Sequence, residues 1–464
     1  MPAALRPQFD PTLIGKYGGP GPRYTSYPTA LQFHEAYGPE NLLAALDASN
    51  QPPIPADLSL YVHVPFCTSP CFYCGCNRII TRSTTAGGVF LDDLERELEI
   101  IAPHVDPDRT VRQIHLGGGT PTFLSPTQIH RLIDTIDRRF RIDRDAEISL
   151  EVDPRSVDPD TIATLRRIAF NRISIGVQDL SPEVQKAVNR IHDEHQVRTI
   201  VEAARAAGFL SINLDLILGL PRQTPERFAR TVERIIAMRP ARLSLFNYAH
   251  LPHRFKAQKQ IRIEDLPSPE AKLAMFSDTL ERLLDAGYEY IGMDHFALPD
   301  DELAVARREG KLVRNFQGYT TGAGLDLIGF GPSAISQIGD HFAQNRHHLI
   351  DWQQAVRGGR PATARGLVRN DDDRVRADII AQIMCTGGLD WRTIERDWSL
   401  DFAESFATEL ERLETIAADG LIEWHDHGFR ATATGQLFLR AIAMVFDAWL
   451  NTSDRAVAGH SRVI

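Results

Sequence analysis

The sequence predicts an α/β protein whose main part is an incomplete (β/α)6 TIM-like barrel, with an N-terminal arm and a mainly helical C-terminal domain. From Leu58 onward, six short apolar runs alternate with amphipathic helical patterns, at about 25–50 residues per unit. This alternation requires parallel strands joined by right-handed crossovers, which a doubly wound sheet and a barrel both satisfy. Polar residues and glycines mark the C-terminal ends of the runs, where barrels place their chemistry, and they favour the barrel. Six units in place of eight predict a barrel that is open on one side.

Each apolar run is long enough for a strand and rich in β-branched or bulky residues. The six predicted strands cover residues 58–66, 111–119, 146–153, 172–178, 211–220 and 242–249. Two of the intervening helices have clear start signals, Ser125-Pro126 and Thr224-Pro225, in which a capping hydroxyl precedes a proline at the first helical position. These signals place helices between the strands, as the barrel requires.

The remaining sequence divides into segments before and after the barrel units. Residues 1–56 are rich in Pro, Gly, Tyr and Ala and form the predicted arm or lid. Residues 57–365 comprise the barrel with its closing segments, which include a predicted helix over 267–286 and a turn-rich stretch over 327–336. Residues 366–464 form the C-terminal domain, where helix, short strand pair and helix follow one another as in a small winged-helix unit.

Composition argues against two broad classes of function. The formal net charge of −10 disfavours a general nucleic-acid-binding protein, which needs a basic surface, yet it leaves room for a local basic pocket. No stretch approaches the roughly 18 consecutive apolar residues of a membrane-spanning helix. The N-terminus carries prolines and charges where a signal peptide has an apolar core. We therefore expect a soluble, cytoplasmic protein that binds neither nucleic acid nor membrane.

Four of the five cysteines, Cys67, Cys71, Cys74 and Cys76, lie within ten residues. A disulfide framework would staple distant segments, so this clustering indicates a metal or iron–sulfur loop. Structural zinc is the alternative, but zinc favours two separated pairs of ligands. Iron–sulfur ligation tolerates tight runs, and the spacing of the first three cysteines resembles the signature of the radical S-adenosylmethionine (SAM) superfamily. In that superfamily three thiolates hold three irons of a [4Fe–4S] cluster and the fourth iron binds SAM. Cys76 could be a fourth ligand, but only one residue separates it from Cys74, which would strain its approach, and it is therefore assigned a separate role.

Further candidate residues stand at or near the ends of the other predicted strands. The run Gly117–Thr120 is either an ordinary tight turn or, beside the cysteine loop, a backbone grip for the ammonium group of a methionine. Glu151 and Gln178 are either loop starts or side chains that face the barrel mouth. Asp215 interrupts an apolar strand, where a buried carboxylate is costly unless it is paired. Arg190 stands at a helix end, where a surface position is the alternative.

Ten segments in one order resemble the family of oxygen-independent coproporphyrinogen III oxidases, from about residue 15 to the C-terminus. In chain order they read PGPRYTSYPTA, LYVHVPFC with CFYCGCN, HLGGGTPT, EVDP, GVQD, NLDLILGLP, FNYAHLP, IGMDHFA, NFQGYTT and the terminal SRVI. The resemblance implies a barrel of the radical SAM type. It also implies an oxidoreductase that converts two propionate groups of coproporphyrinogen III to vinyl groups, which yields protoporphyrinogen IX in haem biosynthesis.

Carried over position by position, the resemblance implies one [4Fe–4S] cluster and two SAM molecules. The cluster ligands would be Cys67, Cys71 and Cys74. The contacts of the first SAM would be Tyr61, Tyr73 through its backbone, Gly118, Glu151 and Ile335. The contacts of the second SAM would be Gly119, Thr120, Gln178, Arg190, Asp215 and Ala249.

The implied chemistry begins with electron transfer from the cluster, which cleaves SAM to methionine and a 5′-deoxyadenosyl radical. The radical takes hydrogen from the propionate carbon attached to the pyrrole, and loss of CO2 and one electron leaves the vinyl group. Because the substrate carries four carboxylates, Arg23 in the N-terminal PRYTSYP segment is a candidate for part of a cationic clamp, with anchoring of the arm as the alternative. Cys76 is a candidate catalytic residue outside the cluster.

The resemblance leaves one rival of another class, the related haem chaperone, which shares the barrel and the three-cysteine cluster but transfers haem. That family typically lacks a cysteine at the position of Cys76 and the PRYTSYP arm, and both are present here. The expected partners are the substrate and an electron donor and acceptor that leave no motif. The family suggests a monomer.

Overall fold

The computed structural model describes residues 7, 9–51, 55–450 and 463. These residues cluster in two compact units. The larger unit comprises Phe33–Ala286 and Gly324–Val368, and the smaller one comprises the described parts of Met1–Gln32, Gly287–Ala323 and Arg369–Ile464. The two units do not divide the chain at the predicted boundaries after residues 56 and 365. The division into arm, barrel and C-terminal domain stays a prediction.

The described residues of the larger unit contain twelve strands, of which ten form one sheet. The strands are β1 Leu58–Val64, β2 Phe66–Cys67, β3 Ile79–Ile80, β4 Thr110–Gly118, β5 Arg141–Val152, β6 Arg172–Gln178, β7 Ser211–Leu218, β8 Arg242–Asn247, β9 Asp326–Phe330, β10 Ile335–Ile338, β11 His341–Asn345 and β12 Thr363–Val368. Within this unit the sheet order is β12-β11-β10-β9-β1-β4-β5-β6-β7-β8, while β2 and β3 pair with each other. All six predicted strands are present, and they lie side by side in chain order.

The pairing is parallel across the barrel part of this sheet. Strands β1 and β4 to β8 are parallel neighbours, with Leu60 opposite Ile114 and Leu216 opposite Leu245. A seventh parallel strand, β9, lies beside β1, and β10 to β12 continue antiparallel from it. The prediction of a turn-rich closing segment over 327–336 was therefore incomplete. Every residue of β9 is buried, and the glycines that suggested a turn lie within and directly after a core strand.

Helices connect the strands, as parallel pairing requires. The helices of the larger unit are α1 Pro39–Ser49, α2 Thr85–Ile101, α3 Pro126–Asp137, α4 Pro159–Ile168, α5 Pro182–Ala187, α6 Glu194–Ala206, α7 Pro225–Met238, α8 Pro269–Asp285 and α9 Leu349–Arg357. Both predicted caps are confirmed, since the hydroxyls of Ser125 and Thr224 accept hydrogen bonds from backbone N–H groups in the first turns of α3 and α7. The helix predicted over 267–286 is α8.

The core of the larger unit lies on both sides of the parallel strands, and β1 and β7 are almost entirely buried. Burial on both faces is typical of parallel sheets covered by helices. One charged pair is also buried there, because Arg109, just before β4, donates to Asp326 of β9 at 2.5 Å. The same guanidinium donates to the carbonyl of Ala56 and to the Ser49 hydroxyl, both at 2.7 Å. Arg109 therefore joins three segments at the N-terminal ends of the strands.

The smaller unit is built from short hairpins and helices. Its strands and helices after residue 286 are Glu289–Gly292, His295–Ala297, Glu302–Arg308, Val313–Asn315, Gly318–Thr320, Asp371–Thr386, Gly388–Asp390, Trp391–Trp398, Phe402–Ser405, Ala407–Ala418, Ile422–His425, Gly428–Ala431 and Leu439–Met444. The predicted short strand pair of the C-terminal region is present, as Ile422–His425 and Gly428–Ala431 pair antiparallel.

The N-terminal segment packs within the smaller unit. Helix Pro11–Tyr17 precedes a stretch in which the carbonyls of Gly21 and Pro22 accept hydrogen bonds from Arg440. Tyr24 donates to Asp447 at 2.9 Å. Most of the terminal SRVI motif lies outside the described residues. No helix in the described part of the chain is both long and apolar enough to cross a membrane.

Candidate active site

The cysteine loop follows β1 at the C-terminal edge of the sheet. Cys67 ends the short strand β2, and Cys71, Cys74 and Cys76 follow in the loop that leads to β3. Cys71 is buried, Cys67 and Cys74 are half-buried, and Cys76 is exposed. All four line one cavity of about 510 Å³. The loop therefore presents its thiols to a shared space, as a cofactor held by the loop requires.

Hydrogen bonds hold this loop in shape. Arg78 donates to the carbonyls of both Cys71 and Cys74, each at 3.0 Å. The hydroxyl of Thr120 lies 3.3 Å from the sulfur of Cys67, and the backbone N–H of Cys76 lies 3.5 Å from the sulfur of Cys74. Hydrogen bonds to cluster sulfurs are a means by which proteins tune iron–sulfur centres.

The arrangement of the thiols is compatible with an iron–sulfur cluster. Nowhere in the described ranges do three His, Cys, Asp or Glu side chains converge closely enough to hold one metal ion. A structural zinc ion requires four ligands within about 2.0–2.3 Å of one centre. A cubane cluster is larger, and each thiolate binds a different iron. The predicted cluster ligands are therefore compatible with their arrangement here.

The glycine run at the end of β4 lies against the start of the cysteine loop. Gly118 has a φ of +109°, and a Cβ there would lie 2.7 Å from the ring of His63. A Cβ on Gly119 would lie 2.8 Å from the carbonyl oxygen of Phe66. The N–H of Gly119 donates to Val64 at 2.8 Å. Glycine is needed at position 118 because of the positive φ and the His63 ring, and at position 119 because the backbone of Phe66 lies against it.

Glu151, at the end of β5, lies beside this glycine run. One carboxylate oxygen accepts a hydrogen bond from the N–H of Gly118 at 3.2 Å, and the other lies 3.6 Å from a ring nitrogen of His115. The ring of His115 stacks on Tyr61 at a centroid distance of 5.9 Å. Tyr61, in turn, lies 3.1 Å from a ring nitrogen of His63. Three neighbouring strands thus hold Tyr61 and Glu151 close to Gly118.

Gln178 and Asp215 occupy the next two strands. Gln178 ends β6 with a φ of +70°, and its buried Oε1 has no hydrogen-bond partner within the described part of the chain. A positive φ at a non-glycine residue costs about 1–3 kcal/mol of backbone strain, and such strain is typical of ligand-binding sites. Asp215 accepts hydrogen bonds from Ser174 at 2.9 Å and Asn213 at 2.7 Å. Burial raises the pKa of Asp215 to about 6.

Arg190 is buried against the cysteine loop, so the surface alternative is wrong. Its guanidinium donates to Asp153 at 2.9 Å and to the carbonyl of Gly176 at 2.5 Å, and it lies 3.4 Å from the sulfur of Cys71. Burial alone would raise the pKa of Asp153, but the positive charge of Arg190 and the hydrogen bond from Arg155 lower it to about 2. This carboxylate is therefore ionised at neutral pH.

One cavity brings most of the predicted site residues together. These are Cys67, Cys71, Tyr73, Cys74, Cys76, Gly118, Gly119, Thr120, Glu151, Gln178, Arg190 and Asp215. Tyr61, Ala249 and Ile335 belong to the same unit but do not line this cavity. Arg23 belongs to the smaller unit, where it forms an ion pair with Asp294.

Four further residues at the site escaped the sequence analysis. Asp153, Arg155 and Arg78 line the cavity, where Arg155 lies against the sulfur of Cys71 and Arg78 donates to its carbonyl. Asp153 and Arg155 lie two and four residues after Glu151 at a strand end, which is the signal that could have found them. Gln258 carries no such signal. Its side-chain amide donates to the carbonyl of Tyr73 at 2.9 Å and to that of Ala249 at 3.2 Å, and so it links two predicted SAM contacts.

Comparison with known proteins agrees with this geometry. The family model described as the Radical SAM superfamily matches residues 61–235, and the model described as the HemN C-terminal domain matches residues 370–438. Fold and site together define a radical SAM enzyme, with a [4Fe–4S] cluster and SAM as its cofactors. A Pseudomonas aeruginosa protein named oxygen-independent coproporphyrinogen III oxidase is 50% identical over 450 residues, which cover 97% of each chain. The chain belongs to the oxygen-independent coproporphyrinogen III oxidase family, and it is an oxidoreductase.

Two further relatives come from Escherichia coli. The protein of strain K12 with the same name is 49% identical over 456 residues, which cover 98% of each chain. The solved structure of coproporphyrinogen III oxidase (HemN), described as a radical SAM enzyme, matches with a TM-score of 0.91 and 48% identity, covering 96% of this chain and 100% of that chain. The predicted incomplete barrel of the radical SAM type is thereby confirmed.

Proposed function

We propose that this chain catalyses the oxygen-independent decarboxylation of two propionate groups of coproporphyrinogen III to vinyl groups, giving protoporphyrinogen IX in haem biosynthesis. The observation that carries the proposal is the single cavity in which Cys67, Cys71 and Cys74 meet the strand-end residues of β4 to β7. The relatives that share this activity in their names match nearly the whole chain at 49–50% identity.

Within this proposal Cys67, Cys71 and Cys74 hold the cluster and leave one iron for SAM. When bound, the cluster and SAM supply an organic radical that removes hydrogen from an unactivated carbon. The protein supplies the surroundings. Thr120 and Arg190 donate toward cluster sulfurs, and Arg78 fixes the loop that carries them.

We assign the first SAM to Tyr61, Tyr73, Gly118, Glu151 and Ile335. The N–H of Gly118 and the carboxylate of Glu151 are already hydrogen-bonded to each other at 3.2 Å. A ligand ammonium here would meet the carboxylate and nearby carbonyls, while a ribose diol would donate to the carboxylate. Tyr61 borders this position through its stack on His115.

We assign the second SAM, a separate molecule, to Gly119, Thr120, Gln178, Arg190, Asp215 and Ala249. Three features support this site. Gln178 has a buried oxygen without a hydrogen-bond partner in the described part of the chain, and Arg190 offers a buried cation. Burial disfavours the ionised form of Asp215, which a cationic ligand would stabilise. The number of SAM molecules is testable by equilibrium dialysis of the cluster-loaded protein. A stoichiometry of one would contradict the second site.

Cys76 and Arg23 receive proposed roles outside the SAM sites. Cys76 is exposed in the same cavity and so is available to the substrate. Arg23 is our candidate for part of the carboxylate clamp, and it pairs with Asp294, whose side chain is 10% exposed. Arg23→Ala and Asp294→Asn separate clamp from anchor. If Arg23 binds a substrate carboxylate, only Arg23→Ala should lose substrate affinity. If Arg23 anchors the arm through Asp294, both variants should lose it. Unchanged affinity and turnover in Arg23→Ala would end the clamp proposal.

The decisive experiment is an anaerobic turnover assay with SAM, a strong reductant and coproporphyrinogen III. We expect CO2 and vinyl product, with SAM cleaved in proportion to vinyl groups formed. Cys67→Ser should abolish both products, and Cys385→Ala, which alters a buried thiol of the smaller unit, is the matched control. Absence of product together with tight haem binding would favour a haem chaperone. The proposal includes a monomer in the cytoplasm that uses a low-potential electron donor and a separate electron acceptor.

A further inference from the structure

Two guanidinium groups meet at the sulfur of Cys71. Nη2 of Arg155 and Nη1 of Arg190 each lie 3.4 Å from Cys71 Sγ. The same two nitrogens donate to one oxygen, Oδ2 of Asp153, at 2.7 and 2.9 Å. Two cations therefore share one carboxylate, and the three side chains together carry one net positive charge against the thiol.

Backbone contacts hold this group in place. Arg155 also donates to the carbonyl of Asn189 at 3.4 Å, and the side-chain amide of Asn189 donates to the carbonyl of Pro70 at 2.7 Å. The N–H of Phe72 donates to Val188 at 2.9 Å. The residues on both sides of Cys71 are thus bound to the segment before Arg190. The contact between the guanidiniums and the thiol follows from this docking.

The group is shielded from water. Side-chain exposure is 8% for Arg190, 12% for Asp153 and 22% for Arg155. Charges in such surroundings act more strongly than surface charges, which water and salt screen. Arg190 belongs to the proposed second SAM site, whereas Arg155 and Asp153 have no assigned role in either SAM site.

We propose that Arg155 and Asp153 are positioning residues that set the reduction potential of the cluster through the charge at Cys71, with opposite signs. One-electron reduction by an external low-potential donor adds negative charge to the cluster. A neighbouring cation and a hydrogen bond to a ligand sulfur stabilise that reduced form and raise the potential. Arg155 contributes both, whereas the Asp153 carboxylate offsets part of the positive charge. The inference rests on the proposed assignment of Cys71 as a cluster ligand.

Potentiometric titration of the cluster, followed by electron paramagnetic resonance, tests this inference in the full-length, cluster-loaded protein without substrate. In Arg155→Met the ratio of reduced to oxidised cluster at a fixed potential should fall about tenfold, which is about 59 mV for one electron. In Asp153→Asn the ratio should rise, and Arg155→Lys, which keeps the charge, should stay closer to the unaltered protein. Arg167→Met, at an exposed arginine of α4, is the control and should leave the ratio unchanged.

A purely structural role would reduce iron content in both variants without shifts of opposite sign. Equal potentials in Arg155→Met and the unaltered protein, or shifts in the same direction for both variants, would overturn the inference. Should Arg155→Met fail to bind a cluster, Asp153→Asn decides, and an unchanged potential there overturns it. Because the titration needs no substrate, a failed decarboxylation assay contradicts the proposed function and leaves this result readable on its own.

Discussion

Replacement of Asp215 by asparagine should stabilise the SAM-free protein at neutral pH and weaken SAM binding. Burial raises the pKa of this carboxyl to about 6 from its ordinary 3.8, although Ser174 and Asn213 donate hydrogen bonds to it. Keeping the carboxyl ionised at neutral pH therefore lowers the free energy of unfolding by about 3 kcal/mol. Because the residue is partly exposed and water screens its charge, we use about 2 kcal/mol. Asparagine carries no charge to desolvate. Its carbonyl oxygen can accept from Asn213, and its amide can donate to the Ser174 hydroxyl, which is able to accept.

The sign of the pH dependence follows from the raised pKa. The folded protein binds this proton more tightly than the unfolded chain does, so stability is highest below about pH 4, where both forms are protonated. Stability contributed by this group is lost as pH rises through about 6 and stays lost above it. The advantage of Asp215→Asn should therefore grow from nearly zero at about pH 4 to about 2 kcal/mol at about pH 7.5.

Urea denaturation of the anaerobic, SAM-free protein, followed by circular dichroism at several pH values, measures this difference. Asp158→Asn is the control, because Asp158 is an exposed cap of α4 whose pKa is lowered by the hydrogen bonds from Thr161. That variant should show no gain at neutral pH. In calorimetric titration Asp215→Asn should bind SAM at least about tenfold more weakly, since it lacks the charge that pairs with the ligand cation. A stability difference that does not vary with pH would refute the reasoning.

Three other changes have defined outcomes. Gly119→Ala should lower the free energy of unfolding by about 1–3 kcal/mol and reduce the iron content of the purified protein, because the new Cβ would lie 2.8 Å from a carbonyl oxygen. Gly88→Ala in α2 is the control, since the nearest neighbour of its new Cβ would lie 3.9 Å away. That variant should gain about 0.5–1 kcal/mol of stability in thermal unfolding. Cys76→Ser should retain the [4Fe–4S] absorption spectrum and lose turnover, and loss of the cluster would contradict its separate role. Arg109→Met should destabilise by about 3–5 kcal/mol in urea denaturation by leaving a buried carboxylate unpaired, and a cost below about 1 kcal/mol would show that pair to be solvated.

Local patterns were sufficient to predict the barrel strands and several of the helix starts. Strands β1 and β4 to β8 follow from runs of apolar residues, and the starts of α3 and α7 follow from Ser-Pro and Thr-Pro pairs. Strand β9 was missed because Gly329 and Gly331 suggest a turn. In the structure a Cβ on Gly329 would lie 2.5 Å from the carbonyl oxygen of Ile335, so this glycine admits the returning strand β10. This glycine allows two strands to approach closely, but in the sequence it looks like a turn signal.

The site divides in the same way. Cys67, Cys71 and Cys74 lie close together in the sequence, and Glu151 and Gln178 stand at strand ends. A local sequence pattern therefore reveals all five residues. Arg155 reaches the sulfur of Cys71 from 84 residues away, and Gln258 reaches Tyr73 from 185 residues away. Contacts over such separations depend on the relative placement of strands, which no single segment encodes.

By itself, the sequence predicted the six parallel strands and the family, and it proposed Cys67, Cys71 and Cys74 as cluster ligands, because these predictions depend on residue types at short, regular spacings. Only the tertiary structure decided that Arg190 is buried, that Asp153 bridges two arginines, and that one net positive charge faces Cys71. The physical reason is that burial and electrostatic energy depend on distances through space. Those distances are set when the strand ends meet at one edge of the sheet.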